Sequence, residues 1–316
     1  MLSGLRQRIG HVASNSMVPA PVKVSFLLAL VFLCVLVGFG IANVVALVGL
    51  KYLYGIPQPQ DFITTASMQM ADIPAFLFAQ TTIMTLGMFL LPAALFCWLV
   101  KQTFSDFTRL NHGVSLRVMA IAIGLIIATG VFIQVLVQIN AAIPLPAALE
   151  SLRSRQELAD ALINALFSQH TLGRMITLTI AVAFLPALSE EIFFRGIIMN
   201  VLTGTNGRTA AIVFSGLLFS LMHGEFNNFL AIWWMGIILG YLYTFSGSLW
   251  TSILAHFTNN FLMIAGKMAA EIGWIPREIT DDQSAPIGII IIAGSIMCAL
   301  LYFLAKTTSN NQSQPT

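Results

Sequence analysis

The apolar positions of this chain fall into long runs broken by short polar connections, with little of the helical or strand-like alternation of a soluble fold. A helix that crosses a bilayer needs roughly 20 mostly apolar residues. Eight runs fit that description, near 24–50, 74–100, 117–139, 172–201, 208–224, 227–245, 249–267 and 286–305. Period-two alternation in blocks of roughly ten residues, the mark of a membrane barrel, is absent. The expected fold class is all-α: a polytopic transmembrane helical bundle of about eight spans. The first run is roughly twice the length of a signal-peptide core and is read as a retained span.

The connections carry less pattern. Residues 51–73 hold Pro57, Pro59 and Asp61 and read as an irregular loop. In 146–170, Leu158, Leu162, Ala165 and Leu166 follow helical spacing, with Arg155, Glu157 and Asp160 among and before them. That pattern fits an amphipathic helix on the membrane interface or a solvated connector. The polar tail 307–316 is expected to be without structure. The chain thus divides into 1–171 (three spans and the amphipathic segment), 172–267 (a polar-bearing core of four spans) and 268–316 (the last span and tail).

Composition sharpens the class. Hydrophobic residues make up 57% of the 316 residues and charged residues 9%, against about 25% charged in a soluble domain, which excludes a soluble enzyme. A net charge of +2 argues for no nucleic-acid partner. Cys34, Cys97 and Cys298 all sit in apolar runs, with neither a disulfide framework nor metal-ligand spacing. With eight spans both termini share one side, which carries nine Lys or Arg residues, Arg6, Arg8 and Lys101 among them. The other side carries six, accompanied by ten acids. The basic excess places both termini in the cytoplasm, and a bacterial inner membrane is the expected location.

Ionisable groups inside spans cost about 2.5–3.5 kcal/mol each on insertion scales and are functional candidates by default. The fourth, fifth and seventh spans hold nearly all of them. In Glu190-Glu191-Ile192-Phe193-Phe194-Arg195, Glu191 and Arg195 are four apart and share a helix face, so they can pair. Glu190 is rotated by about 100° and points elsewhere. Pro186 lacks a backbone donor and should bend this helix. A buried ion-pair network that only locks packing would use the same three residues. The fifth span ends Phe219-Ser220-Leu221-Met222-His223, with Phe219 and His223 on one face. A lone histidine there would serve equally as an interfacial cap. In the seventh, His256 and Asn260 are four apart in an apolar helix, where interhelical hydrogen bonding is the simplest use. Counting turns puts His223 near the outer end of its span and His256 about two turns into its own, depths that tilted helices would reconcile.

Taken together, a carboxylate, two histidines and a carboxamide within 190–260 match what peptide hydrolysis by activated water requires. Glu190 can take the proton from water, and His223 can hold the water and pass the proton on. His256 and Asn260 can donate hydrogen bonds to the tetrahedral oxyanion. Burial should raise the carboxylate's proton affinity toward that of a useful base. Ser189 and Ser220 lie nearby without a nucleophile elbow.

The three segments resemble the CPBP family of intramembrane proteases and bacteriocin-processing enzymes, which includes the type II CAAX prenyl endopeptidases. That family's pattern is Glu-Glu-x-x-x-Arg, then Phe-x-x-x-His, then His-x-x-x-Asn, and all three parts are intact and in order over roughly 172–265. The resemblance implies an intramembrane endopeptidase of CAAX type acting on membrane-associated or lipidated protein or peptide substrates. It implies Glu190 as the base, His223 as its partner, His256 and Asn260 on the oxyanion side, and Glu191, Arg195 and Phe219 as structural support. No cofactor is expected. The alternative is zinc held by Glu190, His223 and His256, although no His-Glu-x-x-His is present. A different class of reading is a non-catalytic scaffold, immunity protein or transporter. Against it, no motif residue is lost, and the first three spans carry almost no charged lining.

Overall fold

In a computed structural model the described residues are 2–14, 19–59, 73–143, 167, 171–276 and 285–312, and no strand occurs among them. The helices are α1 (Leu2–Ser14), α2 (Ala20–Leu53), α3 (Pro74–Leu99), α4 (Phe104–Thr108), α5 (Leu116–Ala141), α6 (Leu172–Gly204), α7 (Gly207–His223), α8 (Phe229–Ser246), α9 (Leu249–Glu271) and α10 (Ile287–Gln312). Every expected span is a helix. Six described helices are long and apolar enough to cross a membrane, and α7 is a shorter apolar one. Helix α9 has the length, but Thr251, Ser252, His256, Thr258, Asn259 and Asn260 dilute its apolar character. Large apolar side chains lie open on the outside, among them Phe32, Leu36 and Val44 of α2 and Ile291, Ile292 and Phe303 of α10. Water would penalise such surfaces and lipid does not: this is an integral membrane protein built as a helical bundle.

Two expectations change. Helix α10 runs on to Gln312, so the first six residues of the tail expected to be without structure are helical. No proline or glycine occurs in 295–312, and Thr307 returns its hydroxyl to the Phe303 carbonyl at 2.8 Å. The amphipathic segment at 146–170 lies outside the described residues, apart from Phe167, whose buried ring faces the Lys267 ammonium at 5.7 Å. The sequence pattern also passed over α1, whose two arginines interrupt a short apolar stripe.

Three stretches are wound as π-helix: Thr82–Leu90, Thr179–Phe184 and Ile192–Met199. The first two stop just before Pro92 and Pro186. A proline forfeits its own hydrogen bond and its ring crowds the carbonyl four residues back. Those carbonyls belong to Met88 and Val182, both inside the wider windings. The expected bend at Pro186 is thus taken up by π-winding of the turn before it.

The chain forms two compact units, Met1–Asn111 with Leu188–Ala211, and His112–Ala187 with Ile212–Thr316. In the first, α2 and α3 approach closely at Gly38 and Gly87, where a methyl group on either would strike the other helix. The second half of α6 is buried throughout 191–199. Phe89 of α3 meets the rings of Phe193 and Phe194 at 5.5 and 5.9 Å, and a methyl on Gly196 would fall 2.9 Å from Thr108. Asn200 donates Nδ2 to the Phe107 carbonyl at 2.9 Å. Helices α3 and α4 end in turns where Lys101 and Arg109 take left-handed backbone conformations, both at φ 60°. Glycine normally fills that position, and a side-chain-bearing residue there costs about 1–2 kcal/mol.

In the second unit, α5, α8, α9 and α10 share a core of Ala122, Leu125, Leu239, Leu242, Ala255 and Leu304, each fully or almost fully buried. Helix α7 starts within the first unit at Gly207 (φ 74°), a backbone that only glycine adopts without strain, and belongs to the second from Ile212 on. Helices α7 and α8 form a tight hairpin. A methyl on Gly236 would lie 2.7 Å from Cα of Gly216. Trp233 donates Nε1 to the Val213 carbonyl at 3.1 Å, and Ser220 donates Oγ to the Phe229 carbonyl at 2.7 Å.

Candidate functional site

Glu190 and Glu191 close the α-helical turn Leu185–Glu191, which lies between two π-helical stretches. Single-turn π-helical insertions recur at functional sites because they re-aim side chains relative to a regular helix. Glu191 Oε1 accepts from Arg195 Nη1 at 2.6 Å, and both side chains are fully buried. The pairing expected from the four-residue spacing is present. Glu190, one residue earlier, is half-buried. The two neighbouring carboxylates therefore sit in different environments: one is bound to a cation in the protein interior, the other is partly accessible.

The second unit brings Phe219, His223 and His256 together. The buried Phe219 ring meets the His223 imidazole at 4.5 Å, tilted by 51°, and the His256 imidazole edge-on at 5.7 Å. Phe219 thus restricts the rotamers of both imidazoles from one ring, which gives the Phe-x-x-x-His spacing a physical purpose. His223 Nδ1 lies 2.8 Å from the Phe219 carbonyl oxygen. A carbonyl only accepts, so Nδ1 carries the proton, and in the neutral ring Nε2 holds the lone pair. His223 is exposed, whereas His256 is 4% exposed.

Asn260 is half-buried one turn beyond His256. Its Oδ1 accepts from Asn259 Nδ2 at 3.3 Å. That contact turns the carboxamide so that Nδ2 is its remaining polar face, the orientation a donor to an oxyanion needs. Asn259 therefore acts as a support that the four-residue pattern did not single out.

A second support was also passed over. Asn140, at the end of α5, donates Nδ2 to the Phe226 carbonyl at 2.6 Å and accepts at Oδ1 from the Leu230 N–H at 3.2 Å. It holds both ends of the turn that follows His223 and Gly224. A lone asparagine at a helix end has many local uses, and no sequence spacing links it to a residue 86 positions away. Among the described residues no group of three or more His, Cys, Asp or Glu side chains is gathered as a metal site would be.

These elements define a helical membrane protein with ionisable and amide side chains placed along three helices of its apolar bundle. Residues 172–262 match the family model described as type II CAAX prenyl endopeptidase Rce1-like, consistent with the intramembrane protease family that the three motifs resemble. The matched stretch contains all three motifs, and it supports intramembrane endopeptidase activity in general terms. No curated protein and no solved structure gives a match.

Proposed function

We propose that this protein is an intramembrane endopeptidase that hydrolyses peptide bonds of membrane-associated or lipidated substrates by glutamate-activated water. The observation that carries this reading is the ordered set of motifs inside the matched stretch 172–262. The paired Glu191–Arg195 and the Phe219-braced imidazoles add physical support.

In this scheme the Glu190 carboxylate takes a proton from water, and the resulting hydroxide adds to the scissile carbonyl carbon. His223, with Nδ1–H engaged by the Phe219 carbonyl, offers Nε2 to hold the water and relay the proton. N–H donors on His256 and Asn260 stabilise the oxyanion, which collapses as the C–N bond breaks and the proton passes to the leaving amine. Glu191 pairs with Arg195 as structural support, and Glu190 serves as the base. The scheme uses only side chains and water. We place the protein in a bacterial inner membrane with both termini cytoplasmic, where the basic excess of the terminal side belongs.

The test is cleavage of a pool of lipidated and membrane-inserted peptides by purified protein in nanodiscs, read by mass spectrometry. Wild type should generate defined new termini, and His223→Ala and His256→Ala should lose them while keeping wild-type unfolding midpoints. Cleavage that survives both substitutions would overturn the assignment.

A further inference from the structure

The end of the first unit that carries α1 has no part in the proposed chemistry, yet it is built with some care. Residues 2–59 contain no Asp or Glu at all, while Arg6, Arg8, His11 and Lys23 lie on α1 and the first turn of α2. Arg6 fastens α1 to α3: its Nε donates to the Trp98 carbonyl at 2.7 Å, and its guanidinium lies 4.9 Å from the centre of the Trp98 ring. Ile9 is buried, whereas Arg8 and His11, which share a face three residues apart, are exposed.

Beside this helix is a partly open cavity of about 110 Å³, lined by Ala13, Ser14, Leu27, Phe96, Val100, Gln102 and Phe107. Most of that lining is apolar. Lys101 stands between two of the lining residues, and its alkyl stem runs across Gly10, where a methyl group would meet Cδ at 3.0 Å. It does so from the left-handed conformation where glycine is the easier choice. Strained positions of this kind tend to persist where a side chain is needed. Lys23 lies one turn before the lining residue Leu27 on α2.

We infer that this end of the molecule is a binding site for an anionic phospholipid, with the phosphate held by Arg8, His11, Lys23 and Lys101 and part of an acyl chain seated in the cavity. Charge complementarity selects the headgroup. Residues 2–59 supply no carboxylate to offset these basic side chains, and Asp106 of α4 accepts a hydrogen bond from the Asn111 amide. A short basic amphipathic helix lying against the bundle is the element expected at a headgroup layer.

Native mass spectrometry of the full chain, released from micelles containing phosphatidylglycerol or phosphatidylcholine, tests the site. The full chain should retain phosphatidylglycerol with at least several-fold preference. Arg8→Gln and Lys101→Met, the second keeping the stem over Gly10, should each weaken retention about fivefold. Ala13→Phe, which fills the cavity without touching a charge, should displace the lipid as well. Lys51→Gln, at the opposite end of α2 from Lys23, is the control and should leave retention unchanged. Equal retention of the two lipids overturns the inference, as does preference undiminished in the charge variants. Loss on charge removal with full retention in Ala13→Phe overturns the acyl seat and with it the site as described. A thermal unfolding midpoint for each variant separates lost binding from lost folding.

Discussion

Replacing Arg195 with methionine removes the guanidinium but keeps most of the side chain's length. Glu191 would then stand fully buried, its Oε1 stripped of a 2.6 Å partner. Removing one member of a buried ion pair typically costs about 3–5 kcal/mol, because the remaining charge has lost both its water and its counter-ion. Glu191→Met should cost a similar amount by stranding the guanidinium. Replacing both with methionine removes both desolvation penalties at once, and apolar replacement of a buried pair is often neutral or stabilising by about 1–4 kcal/mol. If the single losses simply added, the double variant would fall by about 6–10 kcal/mol. The structure predicts instead that it returns close to wild type, so the coupling should be at least about 5 kcal/mol. Equilibrium unfolding in mixed micelles with increasing SDS would measure all four proteins, and folded yield after purification would give the same order if a single variant fails to accumulate. Single losses under about 1 kcal/mol, or a double variant equal to the sum of the singles, would refute the view that this pair is a buried structural unit.

Asn260→Ala should keep the unfolding midpoint but lower turnover by about 10²–10³, the usual result of losing one oxyanion donor; an unchanged rate would remove Asn260 from the mechanism. Gly236→Ala should cost about 1–3 kcal/mol in the same unfolding assay, because its methyl would press on the α7 backbone, which cannot move aside like a flexible side chain. Asn140→Ala should cost about 2 kcal/mol, near 1 per hydrogen bond lost, and should speed hydrogen exchange in 224–230; unchanged exchange there would show that the turn does not depend on the clamp.

The helices were legible because lipid demands long apolar runs, and each run from 24–50 to 286–305 has its helix. Glu191–Arg195 and Phe219–His223 were legible for a related reason: four-residue spacing places side chains on one face whatever surrounds the helix. What the pattern did not disclose depends on contacts between distant segments or on backbone winding. The π-helical stretches leave no compositional mark beyond the prolines after two of them. The left-handed Lys101 carries a residue type that ordinarily signals a regular backbone. Asn140 and Asn259 draw their significance from partners that the pattern did not connect to them. The meeting of both imidazoles on Phe219 depends on how α7 and α9 pack, which no spacing within either helix encodes.

The central claim is that Glu190 activates water without a metal. The most direct measurement compares wild type and Glu190→Gln on one cleaved peptide under single-turnover conditions, each with and without a strong zinc chelator. The account predicts that wild type cleaves at the same rate with chelator as without, and that Glu190→Gln, folded as well as wild type, shows no cleavage in either condition. Wild-type cleavage abolished by the chelator and restored by added zinc would contradict it, as would cleavage that persists in Glu190→Gln.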